Sequence, residues 1–556
     1  MAHVRQIKYL LSYRYTTKSQ LPNRNNVVAG YFTCYQNPKQ KQCAPTIYRD
    51  SNLKIKTTPP KSLRRAYFVA LSMMQFTTSV PYLHQTKTHF SNSNPSSMNK
   101  NNQIPNRNTN IKPWFPTSKA LTNFGDTNCM EQLLVHCADA IETNDVTLAQ
   151  QILWVLNNIA PPDGDSNQRL ANSFLRALTN RAAKNGTCKM LVEVSNARNN
   201  LNIETHRFSI IELANFVDLT PWHRFGFTAA NASIIEATEG FSVIHIVDLS
   251  STHCMQIPTL IDAIASRHEV SPLIKLTVAD HANIDQIPFH VPPMLDLSYE
   301  ELGSKLVNFA RSRNVTLEFR VVSSSYTNGF ASLIEHLRVQ RLVYSGEALV
   351  INCHMMLHYI PDETLSLIHD TNLNSNSNSY VYDTFSSCSS SAAVTVTTTA
   401  TTTSLRSLFL KAVRGLDPTL VVLVDEDVDL TSNNLVCRLR SAFNYLWIPY
   451  DTVDTFLPRG SKQRQWYEAN ICWKIENVIA HEGVQRVERD ENIGKWEQRM
   501  RNANFQGIGF GEECVGEVKA MLDEHAAGWG LKKEDEHIVL TWKGHNVVFA
   551  SAWLPA

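Results

Sequence analysis

Val243-Ile-His-Ile-Val-Asp248 and Leu273-Ile-Lys-Leu-Thr-Val-Ala-Asp280 are two short, mostly apolar runs that each end in an acidic residue. Their length and their β-branched residues predict two buried strands. Between them, apolar residues at helical spacing over Gln256–Arg267 predict a helix that connects the strands. Because strand, helix and strand follow one another in this order, the segment predicts a parallel sheet.

The same alternation continues toward the C-terminus and ends in a predicted hairpin. Helices are predicted over Ser298–Ser312 and Gly329–Arg341, and strands over Thr316–Val322, Ala348–Cys353 and Leu420–Asp425. Ile538–Trp542 and Val547–Ser551 flank the turn Lys543-Gly-His-Asn546, which predicts an antiparallel pair, and a further strand is predicted at Trp473–Ile479. We therefore predict an α/β fold of about seven strands, mostly parallel with a C-terminal antiparallel hairpin, as in a methyltransferase-like Rossmann core.

A helical region precedes these strands. Apolar residues recur at three- and four-residue spacing over 130–141 and 146–156, on either side of the break Thr143-Asn-Asp145. Ser166 is a candidate N-cap for a third helix. The region predicts an N-terminal helical cap, whose leucines could serve ordinary packing, a coiled coil or a partner-facing groove. The candidates for partner contact are Met130, Leu133, Leu134, Leu148 and Leu153.

Charge is distributed very unevenly along the chain. Its 556 residues are 43% hydrophobic and 19% charged, which predicts a largely globular protein with a formal charge of +1. Residues 1–110 hold 16 Lys and Arg side chains against one acid, Asp50, whereas residues 111–556 hold 36 against 50 acids. Residues 1–110, rich in Asn, Ser and Lys, are predicted to be disordered. Their basic groups, including Lys61-Ser-Leu-Arg-Arg65, are either a nuclear-import or nucleic-acid tail or a solvated tail without a role.

Two further features limit the class of protein. Residues 372–404 are dominated by Ser, Asn and Thr and are predicted to form a disordered surface insertion. The eleven cysteines form no C-x-x-C pair, and no apolar run is long enough to span a bilayer. We therefore expect a soluble protein of a reducing compartment that does not contact membranes.

The loop after the first strand argues against methyl transfer. Such an enzyme needs glycine there, because glycine lets the backbone approach the cofactor and turn tightly into the helix. The loop reads Asp248-Leu-Ser-Ser-Thr-His-Cys-Met-Gln256 and contains no glycine. Asp280, at the end of the second strand, stands where these folds place a ribose-binding acid and is a weak cofactor-binding candidate. We predict no cofactor, no catalytic residue and no enzymatic activity.

Two groups of polar residues could bind a cation. His354 and His358 stand four residues apart, a spacing known from metal sites, but the sequence offers no third ligand, so packing or hydrogen-bonding roles under a strand end are strongly favoured over metal binding. Asp425-Glu-Asp-Val-Asp429 is a cation site, a docking edge for a basic partner or a solvated loop. We predict no metal site.

One cluster combines positive charge with aromatic rings. Arg459, Lys462 and Arg464 lie beside Trp466 and Tyr467, a composition that suits phosphate contact and base stacking. These three basic residues are the candidates for nucleic-acid binding. One such cluster in a segment with an acidic excess is too little for a nucleic-acid footprint, so contact with DNA through a partner is favoured over direct contact.

The order of the segments resembles the GRAS family of plant transcriptional regulators over about residues 126–556. Ile244 to Asp248 looks like the family's VHIID motif with two conservative changes, and Ser551-Ala-Trp553 matches the motif that names its SAW region. The residues that match the motifs are Ile244, His245, Ile246, Val247, Asp248, Arg486, Val487, Glu488, Arg489, Trp529, Gly530, Trp542, Ser551, Ala552 and Trp553.

The resemblance also implies a subdivision of the chain. It comprises leucine-rich region I at 126–190, a VHIID region at 209–274, leucine-rich region II at 290–322, a PFYRE region at 333–478 and a SAW region at 479–556. Pro418, Phe443 and Tyr445 fall in the PFYRE zone at a spacing that departs from its name. Trp114-Phe-Pro116 and Phe443-Asn-Tyr-Leu-Trp-Ile-Pro449 are similar to the scarecrow-like and short-root branch.

The beginning of the chain departs from that branch. Relatives begin close to a Met-Met-Gln-Phe sequence, which here is Met73-Met-Gln-Phe76. We therefore expect residues 1–72 to be an upstream extension of the gene model, a hypothesis that tryptic peptides from before Met73 in the purified protein would contradict.

The resemblance implies a function in the nucleus. Family members carry a methyltransferase-like core under a helical cap and assemble with other transcription factors, notably zinc-finger proteins of the indeterminate-domain type and other GRAS proteins. We therefore expect a transcriptional regulator of plant development that reaches DNA through such partners. Direct sequence-specific DNA binding is one alternative, and a small-molecule methyltransferase is another.

Overall fold

The structure of the chain is a computed structural model that describes residues 127–184, 206–267, 271–280, 291–343, 346–363 and 404–556. The predictions for residues 1–110, for Trp114–Pro116 and for the insertion up to residue 403 lie outside these ranges. Among the residues that the structure describes, no helix is long and apolar enough to cross a bilayer.

A nine-stranded sheet forms the centre of the described chain. The strands in chain order are β1 (Arg207–Phe208), β2 (Val243–Ser250), β3 (Leu273–Asp280), β4 (Met294–Leu295), β5 (Leu317–Ser323), β6 (Ala348–His354), β7 (Leu420–Glu426), β8 (Phe505–Ile508), β9 (Trp529–Lys533), β10 (His537–Trp542) and β11 (His545–Pro555). The order across the sheet is β5-β3-β2-β6-β7-β11-β10-β9, with β8 also paired to β11, while β1 and β4 pair separately.

The sheet has a parallel half and an antiparallel half. β5, β3, β2, β6 and β7 are parallel neighbours, and β11 runs antiparallel to β7 and to both β10 and β8. β6 is buried along its whole length, as is β2 after its first residue, as expected of strands covered on both faces. The first and fourth parallel strands, β2 and β6, are adjacent, and this is where the order of connection reverses.

Helices cover both faces of the sheet. In chain order they are α1 (Thr127–Glu142), α2 (Val146–Ile159), α3 (Ser166–Lys184), α4 (Ile210–Val217), α5 (Pro221–Ala237), α6 (Ile257–Arg267), α7 (Tyr299–Ser312), α8 (Ala331–Val343), α9 (Leu405–Arg414), α10 (Leu435–Phe456), α11 (Lys462–Ala480), α12 (Ile493–Asn502) and α13 (Glu512–Leu522). Local capping fixes their starts, as at α4, where Ser209 and Glu212 form a reciprocal capping box.

The helical cap combines elements from distant parts of the sequence. α3 packs against α10 and α11, and α1 packs against α10. Ser173 in α3 lies 2.6 Å from the Tyr450 hydroxyl in α10. Arg169 pairs with Asp454 at 2.9 Å and with Glu468 of α11 at 3.1 Å. The cap is therefore built jointly by its N-terminal helices and by the two long helices that follow β7.

The predicted fold class is confirmed, with corrections at particular elements. The seven strands of the predicted core are present, and β8 and β9 enlarge its antiparallel half. The strand predicted at Trp473–Ile479 is wrong, because this stretch is the C-terminal part of α11. Ser166 lies inside α3, and the carboxylate of Asp165 caps that helix by accepting a hydrogen bond from the Gln168 amide at 2.9 Å.

Replacement of Trp553 tests the packing of the sheet. Its indole is fully buried in β11, where it donates a hydrogen bond to the Ser551 hydroxyl at 2.9 Å. We expect Trp553→Ala to lower the free energy of unfolding by about 3 to 5 kcal/mol, because it leaves a large cavity. Trp154→Ala is the control, since that ring is 44% exposed and its removal should cost about 0.5 kcal/mol or less. Equal effects of the two changes in urea unfolding would contradict the burial of Trp553.

Candidate functional site

The carboxyl edge of the parallel strands is where Rossmann-like folds bind ligands. Here Asp248, near the end of β2, is buried and uses both carboxylate oxygens within the protein. It accepts hydrogen bonds from the Ser250 hydroxyl at 2.6 Å and from the Asn352 amide of β6 at 2.8 Å. Asn352 also donates to the Gln256 side chain at 3.0 Å. Burial raises the pKa of Asp248, although both hydrogen bonds oppose this. Asp248, the acid of the motif Ile244–Asp248, therefore has a structural role, because it connects the end of β2 to β6.

The loop after β2 fills the cleft that a nucleotide-like cofactor would need. His253 and Cys254 adopt left-handed backbone angles, with φ of 50° and 60°, which glycine usually supplies at such turns. The side chains of Cys254 and Gln256 are buried here. A cavity of only about 10 Å³ remains beside Asp248, room for about one water molecule. Asp280 is buried at the end of β3. These residues do not fit S-adenosylmethionine, because cofactor pockets enclose about 300 Å³ or more.

The two histidines considered as metal ligands lie on different elements and have different neighbours. His354 ends β6, and its Nε2 lies 3.3 Å from Nδ1 of His223 in α5. Burial lowers the pKa of His223 to about 4 and that of His354 well below its usual value, so both rings are neutral. His358 lies in the short 3-10 turn Leu357–Tyr359 and contacts acidic groups instead.

A buried lysine connects α11 to the end of β7. The Lys474 ammonium lies 2.8 Å from Glu426, 3.1 Å from Glu488 and 3.0 Å from Asp490. Burial disfavours its charge, but Asp490, Glu426 and Glu488 together raise its pKa well above the usual value. This lysine therefore stays charged and neutralises carboxylates from separate segments of the chain.

His358 is the second cation of this ionic network. Its Nδ1 donates to Asp425 at 2.7 Å and lies 3.6 Å from Asp490. Burial alone would lower the pKa of His358, but Asp425 and Asp490 outweigh it and raise the pKa to about 9. The sequence predicted that the acids at 425–429 form a cation site, a docking edge or a solvated loop. In the structure some of these acids lie inside the protein and others form ion pairs nearer its surface. Asp425 is buried, and Asp429 pairs with Lys495 at 2.7 Å.

One combination of these groups has the composition of a metal site. Ligand atoms of His358, Asp425 and Asp490 all lie within 4.8 Å of one another. A metal requires a neutral imidazole, whereas His358 carries a proton on each ring nitrogen at neutral pH. The Lys474 ammonium also lies 3.0 Å from Asp490 and already neutralises it. The residues therefore fit an internal ion-pair network better than a metal.

The motif Arg486-Val-Glu-Arg489 is buried beside this network. Arg486 donates to the Leu430 carbonyl at 3.2 Å, and Arg489 pairs with Asp362 at 3.3 Å. Glu488, between them, belongs to the network itself. The two arginines therefore fix the chain segments after β6 and β7, and the motif contributes to packing inside the molecule.

Most motif residues near the C-terminus are buried, whereas Trp529 and Gly530 of β9 are half-buried. Trp542 is fully buried, donates to Asp451 at 2.7 Å and contacts the Trp529 ring at 4.8 Å between centroids. Ser551 and Ala552 of β11 are buried in the sheet. All five residues of the motif in β2, from Ile244 to Asp248, are buried too.

The basic residues predicted to contact nucleic acid differ in their surroundings. Arg459 and Lys462 are exposed. Arg464 is buried and pairs with Asp454 and with Glu468, the latter at 2.9 Å. Its charge is therefore used inside the cap, and two exposed cations remain in this candidate cluster. The adjacent Trp466 stacks on His206 at 4.4 Å, and Tyr467 is buried.

The leucines predicted to contact partners also divide by exposure. Met130, Leu134 and Leu153 are buried within the cap, and Leu133 is half-buried. Leu148 is 43% exposed, and Trp154, on the same helix, is 44% exposed. Trp154 was not predicted as a contact residue from the sequence. The prediction of contact residues relied on apolar residues at helical spacing, which identify the buried face of α2, and Trp154 lies outside that spacing.

Comparison with known proteins identifies the family. The GRAS domain family matches residues 130–554. This chain belongs to the GRAS family. It is 56% identical over 445 residues to Scarecrow-like protein 32 of Arabidopsis thaliana, covering 79% of this chain and 97% of that protein. It is 29% identical to Protein SHORT-ROOT of the same plant, covering 76% of this chain and 73% of that protein.

A solved structure of a GRAS protein shows the same fold. The crystal structure of SCL7 in Oryza sativa matches 76% of this chain and 99% of that chain, with a TM-score of 0.55 and 21% identity. The predicted resemblance to the GRAS family and to its scarecrow-like and short-root branch is therefore confirmed. The proposed boundaries of its internal regions remain predictions.

The ionic network predicts a loss of stability at alkaline pH. His358 has a pKa of about 9 in the folded protein and about 6.5 when unfolded. The contribution of protonated His358 to the free energy of unfolding is thus fully present below pH 6.5 and is lost as the pH rises through 9. We expect a loss of about 3 kcal/mol in the free energy of unfolding over this interval.

The variant His358→Gln is the control for this titration. This variant should have a lower free energy of unfolding than the unmodified protein at pH 6.5. Between pH 6.5 and 9, its free energy of unfolding should fall by about 3 kcal/mol less than that of the unmodified protein. Urea unfolding at both pH values measures the difference. Parallel stability curves for the two proteins would show that His358 does not hold its proton in the folded state.

Proposed function

We propose that this protein is a nuclear transcriptional regulator that reaches DNA through partner proteins and acts through binding surfaces. Membership of the GRAS family supports the general class, transcriptional regulation in plant development. The partners we propose are zinc-finger proteins of the indeterminate-domain type and other GRAS proteins.

The filled cleft after β2 is the observation that most favours binding over catalysis. The segment Ser251–Gln256 takes the space of a cofactor, and the remaining cavity of about 10 Å³ is lined by its own Cys254 and by Tyr299. A fold keeps its architecture when such a site is lost, because its strands and helices are held by packing elsewhere. We infer that this protein is not an enzyme.

The cap offers a surface that suits a protein partner. Leu148 and Trp154 project from α2 with 43% and 44% exposure, whereas the motif residues of the family are mostly interior. Exposed tryptophan is typical of the residues that contribute most to protein interfaces. We propose that these two side chains contact the partner, and that Met130, Leu134 and Leu153 support the helix from within.

Electrostatics favours recruitment over direct DNA binding. Residues 111–556 contain 50 acids against 36 Lys and Arg side chains, and Arg464 is held in ion pairs. Direct readers need a concentrated basic face, because affinity comes largely from phosphate contacts. Arg459 and Lys462 alone provide too little charge for that role.

Selection from randomised duplex DNA tests recruitment. We expect the purified full chain to enrich no motif at near-physiological salt, and to be retained on an enriched motif when an indeterminate-domain zinc-finger protein is added. Leu148→Glu with Trp154→Glu should abolish this retention, because the charges would have to be buried without partners. Leu342→Glu on α8 is the matched control, since Leu342 is 85% exposed and far from α2 in sequence.

The outcomes of this selection separate the two mechanisms. Enrichment of one motif by the protein alone would make it a direct DNA reader and would focus study on Arg459 and Lys462. Retention by the double variant would show that the partner binds elsewhere. Circular dichroism of both variants must match the unmodified protein for either conclusion to hold.

Calorimetric titration with S-adenosylmethionine tests the absence of a methyltransferase site. We expect no heat of binding at micromolar concentrations, because the cleft beside Asp248 has no room for the cofactor. Micromolar affinity that Asp280→Ala abolishes would overturn the assignment as a non-enzyme. Binding that Asp280→Ala leaves unchanged would place the cofactor at a different site.

A further inference from the structure

A second cavity lies at the carboxyl edge of the sheet, beside the filled cleft. It has a volume of about 110 Å³ and is bounded by the cap helices and by the segments that follow β6 and β7. Trp222, Tyr467 and Trp473 line its walls, and His358, Glu426 and Glu488 also face it. An apolar cavity of about 150 Å³ admits benzene, so this one matches a fragment of about five non-hydrogen atoms.

Some of its polar atoms are already paired. Glu426 accepts hydrogen bonds from the Trp222 indole at 3.1 Å and from Lys474 at 2.8 Å, which occupies both oxygens. One oxygen of Glu488 accepts from the Tyr359 hydroxyl at 3.1 Å. These groups form the fixed polar part of the lining.

Two other atoms are buried without a hydrogen bond. Neither atom has a hydrogen bond, and Oε2 of Glu488 has ion-pair contacts with Lys474 at 3.1 Å and with Nε2 of His358. The two atoms are 3.7 Å apart, too far for a direct hydrogen bond. Both residues are 2% exposed, so bulk water does not reach them freely. Unpaired groups in such places are costly unless something fills the site.

A third unpaired atom belongs to a cavity-lining residue of α11. The side-chain amide of Asn470 donates to the Trp466 carbonyl at 2.7 Å, but its Oδ1 is buried and accepts no hydrogen bond. The cavity therefore offers one donor, His358 Nε2, and two acceptors, Glu488 Oε2 and Asn470 Oδ1. The pKa of about 9 for His358 supports the assignment of Nε2 as a donor.

A hydroxyl group, of water or of an organic ligand, matches the pattern between His358 and Glu488. A hydroxyl group both accepts and donates, and its oxygen can lie about 2.8 Å from each of two atoms that are 3.7 Å apart. An ammonium cannot accept from His358, and a carboxylate cannot donate to Glu488. The ring walls suit the carbon atoms of such a ligand.

We propose that this cavity binds the hydroxyl-bearing end of a small neutral molecule. One hydroxyl bridges His358 and Glu488, a second donates to Asn470, and the carbon atoms lie against Trp222 and Trp473. The site is independent of the proposed role in transcription, so either assignment can fail without the other. Because its lining comes from both the cap and the sheet, its occupant would contact both layers.

Titration with propane-1,2-diol tests this site in the full chain. With fluorinated tryptophan and ¹⁵N-labelled histidine, we expect saturable NMR shifts of Trp222, Trp473 and His358 at millimolar diol. Butylammonium and butyrate are comparators of similar size and should bind about tenfold more weakly or not at all. Asn470→Leu, which removes an acceptor and fills space, should weaken diol binding about tenfold or more.

Gln463→Leu is the matched control, because it is an exposed residue of the same helix and does not line the cavity. Its diol affinity should equal that of the unmodified protein. If Asn470→Leu does not fold, Ser251→Leu blocks the opposite side of the cavity and should give the same loss. The proposal fails if the diol shifts no resonance, if butylammonium binds equally well, or if the folded blocking variant retains full affinity.

Discussion

The ion pairs of Lys474 connect the principal layers of this protein. Lys474 comes from cap helix α11, Glu426 from the end of β7, and Glu488 and Asp490 from the buried segment after α11. Removal of one member of such a network leaves another charge buried without a partner, which costs several kcal/mol. Each of these segments therefore stabilises the placement of the others. The cap is therefore an integral layer of the fold. Its first helix, α1, nevertheless begins more than a hundred residues before β2, the first strand of the main sheet.

The same network explains why the family's motifs are poor guides to binding surfaces. Arg486 to Arg489 and Ile244 to Asp248 supply hydrogen bonds and charges that hold chain segments in place, and both motifs are buried. A motif that is defined by sequence similarity can identify residues that the fold needs. Here the fold needs hydrogen-bond or ion-pair partners for its buried polar groups. Leu148 and Trp154, the exposed residues that we propose contact a partner, belong to neither motif.

Sequence alone could predict the parallel strands but not α11. β2 and β3 are recognisable because a strand covered on both faces is mostly apolar, and each carries an acid at or near its carboxyl end. In α11, Trp473 to Ile479 alternates apolar and polar residues at first, which suits a strand, yet Ile471, Ile475, Val478 and Ile479 follow a helical period over the longer stretch and are buried. A window of seven residues cannot separate the two periods. The ionic network was beyond prediction for another reason: its members are distant in sequence, and charged residues are expected at the surface.

The filled cleft and the open cavity beside it follow from one arrangement. Loop residues after β2 take left-handed angles and place their side chains in the cofactor position, so the sheet edge is closed there. Farther along the edge, Lys474 and His358 are paired with carboxylates, and both residues line the open cavity together with Trp222 and Trp473. The charge network that connects the cap to the sheet thus also borders the open cavity, and the atoms of His358, Glu488 and Asn470 that lack a hydrogen bond belong to residues of its lining.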